Sequence, residues 1–502
     1  MLICVERYVG IGPESRVLTR NPTRVPAPLP EAYGRRRMET VVPPLLARTS
    51  TDEYAPMPAS RADHVAADRV DEIIEPAAAR LGMSAPEYAA DRRGTAATLR
   101  AIDDAHGGGF FEVPDRALHE MEAADAAFGG NAPVIDVQTH LVDPARWVGP
   151  GAAALAGFLK MADPERWAGA VDPRLIDGAA WAALVFGASE TAIALLTSTP
   201  GPAASNVLTN AQIAAARDVV DRYAGAGRVL THTIVHPNLG PHELDAMSGW
   251  SEQLRPSGWK CYTLYGPPTK ASPTGGWFLD DDEIGFPFLE RVDALGPRVV
   301  ATHKGLGGPV PEQSVEAASP RDIGPAAAAF PNINFVVYHS GYERDPAGQE
   351  GAYDAANATR GVDRLIKSIE LAGIGSHANV YAELGSTWFL MLRRPVEAAH
   401  VLGKLLAALG PERIVWGTDS TWYGSPQPLI DAFRAFRIPP RMQEQFGYPE
   451  LSTADKERIL SANAQAVYAV PDAALHTADG ERDRSWVTNA TVALSAAIAS
   501  AR

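Results

Sequence analysis

Short apolar runs recur along the middle of the chain and alternate with longer stretches of helical periodicity. The runs are rich in β-branched residues, and few polar side chains interrupt them. Runs that are apolar on both faces are typical of parallel strands covered by helices. We place eight strands at about residues 134–139, 191–198, 229–235, 257–263, 298–303, 333–339, 379–384 and 413–418. The pattern predicts an α/β protein built on a (β/α)₈ TIM barrel.

Helical periodicity fills most of the gaps between these strands, for example at residues 211–223, 286–295, 361–371 and 395–409. An open, doubly wound sheet would show the same alternation of strands and helices. That architecture commonly carries a glycine-rich phosphate loop, and the chain has neither GxGxxG after the first strand nor GxxxxGK[ST]. The barrel is therefore the preferred architecture.

Further segments flank the barrel, which we place at residues 131–472. Residues 1–60 are rich in proline and hold no periodic element, so we expect a disordered tail. A start of translation at Met38, just after an arginine triplet, is a hypothesis that this composition suggests. Residues 61–130 predict a helical N-terminal extension, and residues 473–502 predict a C-terminal helical tail.

Composition narrows the classes of partner. Hydrophobic residues make up 46% of the 502 residues and charged residues 21%, which is typical of a soluble globular protein. The net charge of −15 argues against a nucleic acid or an anionic membrane, so we expect a small-molecule substrate, with a homo-oligomer left open. Only Cys4 and Cys261 occur, so no disulfide framework is available. We find no membrane span or export signal and expect a cytoplasmic protein.

Polar side chains close four of the predicted strands. Gln138 and His140 have equal parity at the end of the first strand, so they leave it on the same face. His303, His339 and Asp419 close the fifth, sixth and eighth strands. In a (β/α)₈ barrel the carboxyl ends of the strands carry the active site. We therefore expect these side chains to converge on one point.

The order of these motifs resembles that of a known family. An early strand ends in Thr-His, the fifth in His, the sixth in His-Ser-Gly and the eighth in Trp-Gly-Thr-Asp, and Ile-Leu-Ser-Ala-Asn-Ala follows at 459–464. This order is similar to the amidohydrolase-related branch of the amidohydrolase superfamily, which includes aminocarboxymuconate-semialdehyde decarboxylase-like enzymes, over roughly residues 133–470. The resemblance implies a barrel with one divalent metal ion, zinc or manganese, and either hydrolysis or non-oxidative decarboxylation.

The resemblance also implies roles for single residues. His140, His303 and Asp419 fall on metal-ligand positions, and His339 falls on the acid/base position. A divalent ion lowers the pKa of bound water to about 7 and polarises a substrate oxygen. Asp419 could both bind the ion and accept the proton of the attacking water. In a decarboxylation, His339 would protonate the ring carbon or hold the substrate carboxylate.

Gln138 departs from the family pattern, which usually has His-x-His at the end of the first strand. A neutral amide oxygen is a weaker ligand than an imidazole for zinc. Some relatives of the decarboxylase type carry a carboxylate at this position, so a ligand other than histidine is compatible with activity. The substitution leaves three outcomes: a weakened metal site that includes Gln138, a different metal, or no metal.

Lys260 and Glu343 are two further candidates for the functional site, and each has an alternative interpretation. Lys260 lies in the fourth strand, where two-metal relatives carry a carbamylated lysine. It could also be a positive charge for a substrate carboxylate, or a lysine in a buried ion pair. Glu343 follows the His339 motif and could orient His339 as an outer hydrogen-bond partner, although such a glutamate is more often a charged loop residue.

Three functions follow in order of preference. The first is a metal-dependent hydrolase that acts on an ester, lactone or amide of a small, ring-containing substrate. The second is a metal-dependent, non-oxidative decarboxylase of an aromatic or unsaturated carboxylic acid, and the third is a non-catalytic barrel. Tryptophans after the predicted strands suggest an aromatic pocket wall, with core packing as the alternative; they are Trp147, Trp167, Trp181, Trp277, Trp388 and Trp422.

Overall fold

The computed structural model describes most of the chain from Ser60 onward. The described ranges are 60–163, 166–199, 205–306, 315–343, 350–375, 379–475 and 484–501. The predicted disordered tail lies outside them except for Ser60. Within the described ranges, no helix is both long and apolar enough to cross a membrane.

Eight parallel strands form one sheet in which each strand pairs with the next along the chain. They are β1 Val134–Thr139, β2 Thr191–Leu196, β3 Val229–Ile234, β4 Gly258–Cys261, β5 Val299–His303, β6 Asn334–Tyr338, β7 Val380–Glu383 and β8 Ile414–Val415. The last strand returns to the first, since Val137 N donates to Trp416 O at 3.0 Å and Asp419 N donates to Gln138 O at 2.9 Å. The (β/α)₈ barrel is therefore confirmed, and the open sheet is excluded.

The eighth strand is shorter than the sequence predicts. Its ladder covers Ile414–Val415, whereas the apolar pattern extends to residue 418. The cause is a change of partner at its end: Thr418 N donates to the Asp136 carboxyl at 3.0 Å, and Trp416 N donates to Ile459 O at 3.1 Å. The chain thus leaves the ladder just before the polar residues that it carries.

The helices surround the barrel, and those predicted between the strands are present with nearly the expected limits. They are α1 Arg61–Arg80, α2 Ala85–Ala89, α3 Arg92–Ala105, α4 Met121–Phe128, α5 Gly149–Ala162, α6 Gly178–Trp181, α7 Asn210–Ala224, α8 Pro241–Leu254, α9 Gly285–Leu295, α10 Ile323–Ala329, α11 Gly361–Ala372, α12 Thr387–Met391, α13 Pro395–Leu409, α14 Gln427–Ala435, α15 Pro440–Phe446, α16 Thr453–Glu457, α17 Asn463–Val467 and α18 Ser485–Ser500. Local sequence sets several of their starts. Thr209 and Gln212 form a capping box at α7, and a proline opens α13.

Helices α3 and α4 pack against α14, α1 and α2 pack on α3, and charged side chains link this layer to the barrel domain. The Arg92 guanidinium contacts Asp431 at 3.2 Å, Asp125 at 3.1 Å and Glu190. At the other end of the chain, α18 buries Leu494 and Ile498. Both terminal segments therefore contribute to the packing that surrounds the strands.

A separate apolar cluster fills the inside of the barrel. It draws Ile135, Ala301, Val336 and Val415 from four different strands, all of them fully buried. Such a filled interior is typical of this fold and leaves the functional groups at one end of the strands.

Candidate active site

His140 and Asp419 come together where β1 and β8 end. His140 Nε2 lies 2.9 Å from Asp419 Oδ1, and the Gln138 amide nitrogen lies 3.5 Å from the same imidazole nitrogen. All three side chains are buried. The predicted shared face of Gln138 and His140 is therefore present in the structure.

The tautomer of His140 follows from its other neighbour. His140 Nδ1 lies 3.1 Å from the carbonyl oxygen of Thr197, which can only accept a hydrogen bond. Nδ1 therefore carries a hydrogen, and Nε2 is the nitrogen that faces the Asp419 carboxylate. A lone pair on Nε2 would repel that carboxylate at 2.9 Å. The pair is thus stabilised by a proton or a cation between the two atoms.

Asp419 is held in a strained backbone conformation by partners on two sides. Its φ is 62°, which is uncommon for a residue with a side chain, and Ser386 Oγ donates a short hydrogen bond to its second carboxylate oxygen. Burial acts to raise the pKa of Asp419, but hydrogen bonds from His140 and Ser386 outweigh it and hold the pKa below its usual value. The carboxyl is therefore ionised at neutral pH.

His303 and His339 form a second pair. His339 Nδ1 lies 2.7 Å from Gly385 O, so this nitrogen carries the hydrogen, and His339 Nε2 accepts from His303 Nδ1 at 3.1 Å. His303 Nε2 is consequently the nitrogen with a free lone pair, and it is buried with no hydrogen-bond partner among the described residues. Burial lowers the pKa of His339 to about 4 and that of His303 well below its usual value. Both rings are neutral at pH 7.

Of the predicted metal ligands, His140 and Asp419 thus form one pair, whereas His303 is paired with the predicted acid/base residue His339. Within the described ranges, no group of three or more His, Cys, Asp or Glu side chains is arranged to hold a metal ion. The donor chemistry nevertheless fits a divalent ion. His140 Nε2 and Asp419 Oδ1 are close enough to share a cation, and the unpartnered Nε2 of His303 is a neutral nitrogen donor.

Gln138 contributes an amide whose two ends have different surroundings. Its nitrogen faces His140, whereas its oxygen is buried without a hydrogen-bond partner. That oxygen lies against Gly385, where an added Cβ would be only 2.1 Å away. If the amide oxygen and nitrogen were exchanged, the oxygen would face His140 in place of the nitrogen. The contact between the amide and His140 alone therefore does not identify Gln138 as a ligand.

Lys260 lies in β4 with its ammonium over aromatic rings. Lys260 Nζ is 3.4 Å from the ring centroid of Tyr338 and 4.6 Å from that of Tyr262, and it has no hydrogen-bond partner in the described part of the chain. It is fully buried, and this burial lowers its pKa to about 7. The buried ion pair considered from the sequence is not what the structure shows, because aromatic faces surround the ammonium instead.

Glu343 is not the partner of the His339 ring in this structure. Glu343 Oε2 lies 3.2 Å from Arg360 Nε, while the carbonyl of Gly385 accepts from His339 Nδ1. The orienting contact predicted for Glu343 is therefore made by a backbone oxygen. A backbone carbonyl gives no signal in the sequence, and the contact of Glu343 with Arg360 agrees with the alternative of a charged loop residue.

Two buried carboxyls near the site were not among the sequence candidates. Asp136 accepts from the N–H groups of Gln138 and Thr418 at 3.1 and 3.0 Å, and burial raises its pKa to about 7. Glu383 closes β7, and burial raises its pKa to about 8. The rule that polar strand ends mark the site applies equally to Glu383 and would have found it in the predicted strand 379–384.

Aromatic side chains cover the His140 side of the site. Trp422 stacks on His140 with ring centroids 5.1 Å apart, and Trp167 Nε1 donates to Trp422 O at 3.3 Å. Tyr423 stacks on Phe389 at 3.9 Å. Two of the six tryptophans considered from the sequence thus contribute to a wall. Others, including Trp181, Trp277 and Trp388, pack in the apolar clusters outside the barrel.

A family model for amidohydrolases matches residues 135–470, which is most of the barrel. Among curated proteins, none matches the chain. The matched range begins in β1 and ends after α17, so it contains every strand end described above.

Several solved structures are similar to this chain at low identity. 5-Carboxyvanillate decarboxylase from Novosphingobium aromaticivorans, complexed with manganese and a nitrobenzoic acid, has a TM-score of 0.42 and 11% identity, covering 68% of this chain and 96% of that one. 2,6-Dihydroxybenzoate decarboxylase from Rhizobium has a TM-score of 0.36 and 14% identity, and the match covers 68% of this chain and 99% of that one. A uronate isomerase from Bacillus halodurans has a TM-score of 0.33 and 12% identity, and the match covers 73% of this chain and 97% of that one.

Proposed function

The chain belongs to the amidohydrolase family, and from this membership we propose that it is a metal-dependent enzyme that removes carbon dioxide from a small aromatic or unsaturated carboxylic acid. Hydrolysis of a small ester, lactone or amide is the second candidate. Both reactions use a divalent ion at the carboxyl end of the barrel, and they differ in whether water attacks the substrate. The choice between the two reactions therefore depends on whether the site admits a water molecule that can attack the substrate.

His140, His303 and Asp419 would hold one divalent ion, zinc or manganese, with Gln138 at its edge. The support is chemical: the ionised Asp419 carboxylate, the neutral His303 imidazole, the second imidazole of His140 and the Gln138 amide are donors that these ions accept. When bound, such an ion supplies a positive centre that polarises a substrate oxygen.

The observation that carries the proposal is the exclusion of solvent from the polar side chains. Gln138, His140, His339 and Asp419 are each between 2% and 4% exposed. Trp422 covers the His140 ring by stacking. A substrate carboxylate in such a site loses its hydration, and its negative charge disperses into the ring as neutral carbon dioxide leaves. This environment favours decarboxylation, whereas an attacking water would need a place of its own.

The remaining groups have roles that fit this reaction. Loss of carbon dioxide replaces a C–C bond with a C–H bond, so one proton must reach the ring carbon. Overall this proton comes from water, and His339 would pass it to the carbon. Because burial keeps the pKa of His339 at about 4, its ring is neutral at rest and would hold the proton only in passing. Lys260 would attract an anionic substrate in its protonated form, which is partly populated at neutral pH because burial lowers its pKa to about 7.

Hydrolysis is supported by a different observation. Asp419 is ionised at neutral pH, so its carboxylate is in the form that can accept the proton of an attacking water. The same residue would serve as a ligand in the first reaction and as a base in the second. A test must therefore measure the products rather than the loss of activity in a variant.

The two reactions can be separated with the metal-loaded protein. It should be incubated with a set of hydroxybenzoic acids and, in parallel, with aryl esters, lactones and anilides. Carbon dioxide release from the acids without ester or lactone cleavage supports the proposal. Cleavage without carbon dioxide release favours the hydrolase, and neither product with bound metal present would favour a non-catalytic barrel.

A further inference from the structure

Glu383 joins the ends of β6 and β7 through both of its carboxyl oxygens. Oε2 accepts from His339 N at 3.0 Å, and Oε1 accepts from Gly385 N at 2.6 Å. The side chain is fully buried. One carboxyl group therefore fixes two peptide groups that belong to different strand ends.

The His339 backbone needs such support because its conformation is strained. His339 has φ of 67°, and the next residue, Ser340, has φ of 55°. A left-handed residue with a side chain is unfavourable and persists only where neighbouring groups fix it. Besides the Glu383 carboxyl, Ser340 Oγ donates to Glu383 O at 2.7 Å, and Thr387 Oγ1 donates to His339 O at 3.0 Å. Glu383 thus fixes this turn through its main chain as well as its side chain.

The same segment also fixes the His339 ring. The carbonyl of Gly385 accepts from His339 Nδ1 at 2.7 Å, and the N–H of Gly385 is bonded to Glu383. The carboxyl therefore orients the residue whose oxygen selects the His339 tautomer. That tautomer in turn makes Nε2 the acceptor for His303. A single side chain controls the backbone of His339 directly and its ring through one intermediate residue.

Two glycines provide the room for this arrangement. A Cβ added at Gly417 would lie 1.8 Å from Glu383 Oε1, and one added at Gly385 would lie 2.6 Å from the same atom and 2.1 Å from Gln138 Oε1. The Glu383 carboxyl and the Gln138 amide thus pack against bare backbone. Their positions are fixed by close contact as well as by hydrogen bonds.

We propose that Glu383 is a positioning residue that holds the His339 imidazole in its Nδ1-protonated tautomer and directs it toward His303. This inference rests on the proposed function in one respect only, which is that His339 is needed for turnover. Glu383 itself touches backbone N–H groups, and its effect on the reaction passes through His339. Loss of such an outer hydrogen-bond partner typically costs about 10- to 100-fold in activity or metal affinity.

The discriminating variant is Glu383→Gln, which keeps the shape of the side chain. A glutamine offers one acceptor oxygen and one NH₂ group, so either His339 N or Gly385 N would face a donor instead of an acceptor. We expect kcat to fall about 10- to 100-fold with little change in KM. Glu383→Asp keeps two acceptor oxygens and should retain more turnover than the glutamine variant.

The test needs a readout that does not depend on turnover. Side-chain nitrogen spectra of protein labelled with ¹⁵N-histidine report the tautomer of each ring, and His339→Ala identifies the His339 signals. We expect the Nδ1-protonated form in the native protein and a mixture in Glu383→Gln. Glu397→Gln is the control, since Glu397 is also a buried carboxyl but bonds Tyr342 and Arg394 instead. Its His339 signals should match those of the native protein.

The outcomes separate the two proposals. An unchanged His339 tautomer in Glu383→Gln would overturn the positioning role, whatever happens to turnover. A changed tautomer together with full turnover in His339→Ala would uphold the positioning role and contradict the proposed function of His339. Should Glu383→Gln fail to fold, Glu383→Ala takes its place because it removes both acceptor oxygens, and an unchanged His339 tautomer in that variant would overturn the inference.

Discussion

His339 Nε2 accepts a hydrogen bond from His303 Nδ1 at 3.1 Å, so the two imidazoles have different roles. The donor, His303, is left with a buried and unpartnered Nε2, whereas both nitrogens of His339 are engaged. This difference agrees with the proposed roles, metal binding for His303 and proton transfer for His339.

Alanine variants of the two histidines should therefore differ in metal content. His303→Ala removes a nitrogen donor and should lose the metal. His339→Ala should keep the metal and lose about 10²- to 10⁴-fold in turnover, the usual contribution of a general acid or base. Metal content by atomic spectroscopy, measured beside kcat, checks both. Equal metal loss in the two variants would mean that ligand and proton donor have been exchanged.

Gln138 is open to a similar test. Gln138→His places a second imidazole beside His140, and zinc affinity should rise because zinc favours nitrogen donors. Turnover need not rise with it, since an added imidazole makes the ion less electron-poor than a neutral amide does. Competition with a chelator measures the affinity.

Gln138→Ala serves as the matched comparison for this change. It should weaken metal binding if the amide oxygen turns toward the ion, and leave it unchanged if the nitrogen stays there as in the structure. Unchanged affinity and turnover in both variants would show that Gln138 only fills space.

Lys260 gives a prediction about stability and pH. Burial lowers its pKa to about 7 in the folded protein, against about 10.4 in an unfolded chain. Between these values the unfolded state binds more protons, so the free energy of unfolding rises with pH by up to about 1.4 kcal/mol per unit. Lys260→Met has no ionisable group at this position, so its free energy of unfolding lacks this pH dependence. It should be more stable than the native protein by a few kcal/mol at pH 6, and the difference should shrink toward pH 10.

Denaturant unfolding at several pH values measures this difference. The exposed Lys270 provides the control, because Lys270→Met should leave the two pH curves parallel. If the curves of unfolding free energy against pH were also parallel for Lys260→Met and the native protein, the buried Lys260 ammonium would not be a source of instability.

Gly417 tests the close packing around Glu383. In Gly417→Ala the new methyl would lie 1.8 Å from Glu383 Oε1, which forces the carboxyl or the backbone to move. Overpacking of this kind costs typically about 1–3 kcal/mol of stability. Thermal unfolding measures the loss, and Gly169→Ala is the control because an added Cβ there meets nothing within 4 Å. Equal unfolding temperatures for the two variants would contradict the packing described here.

The sequence is informative about the barrel because strands and helices have different apolar periods. It also places His140 and Asp419, since polar residues at strand ends of one barrel face the same side. The contact between His303 and His339 depends on a left-handed turn at His339, for which His-Ser-Gly gives no clear local signal. The partner of that ring is a backbone oxygen, which no pattern of side chains reveals.

The central claim is that strand ends β1, β5 and β8 supply one metal centre, and anomalous diffraction from crystals of the zinc- or manganese-loaded protein tests it most directly. A single peak is expected within about 2.0–2.3 Å of a nitrogen of His140, a nitrogen of His303 and an oxygen of Asp419. A peak bound elsewhere, or a loaded protein whose His303 remains paired only with His339, would contradict it.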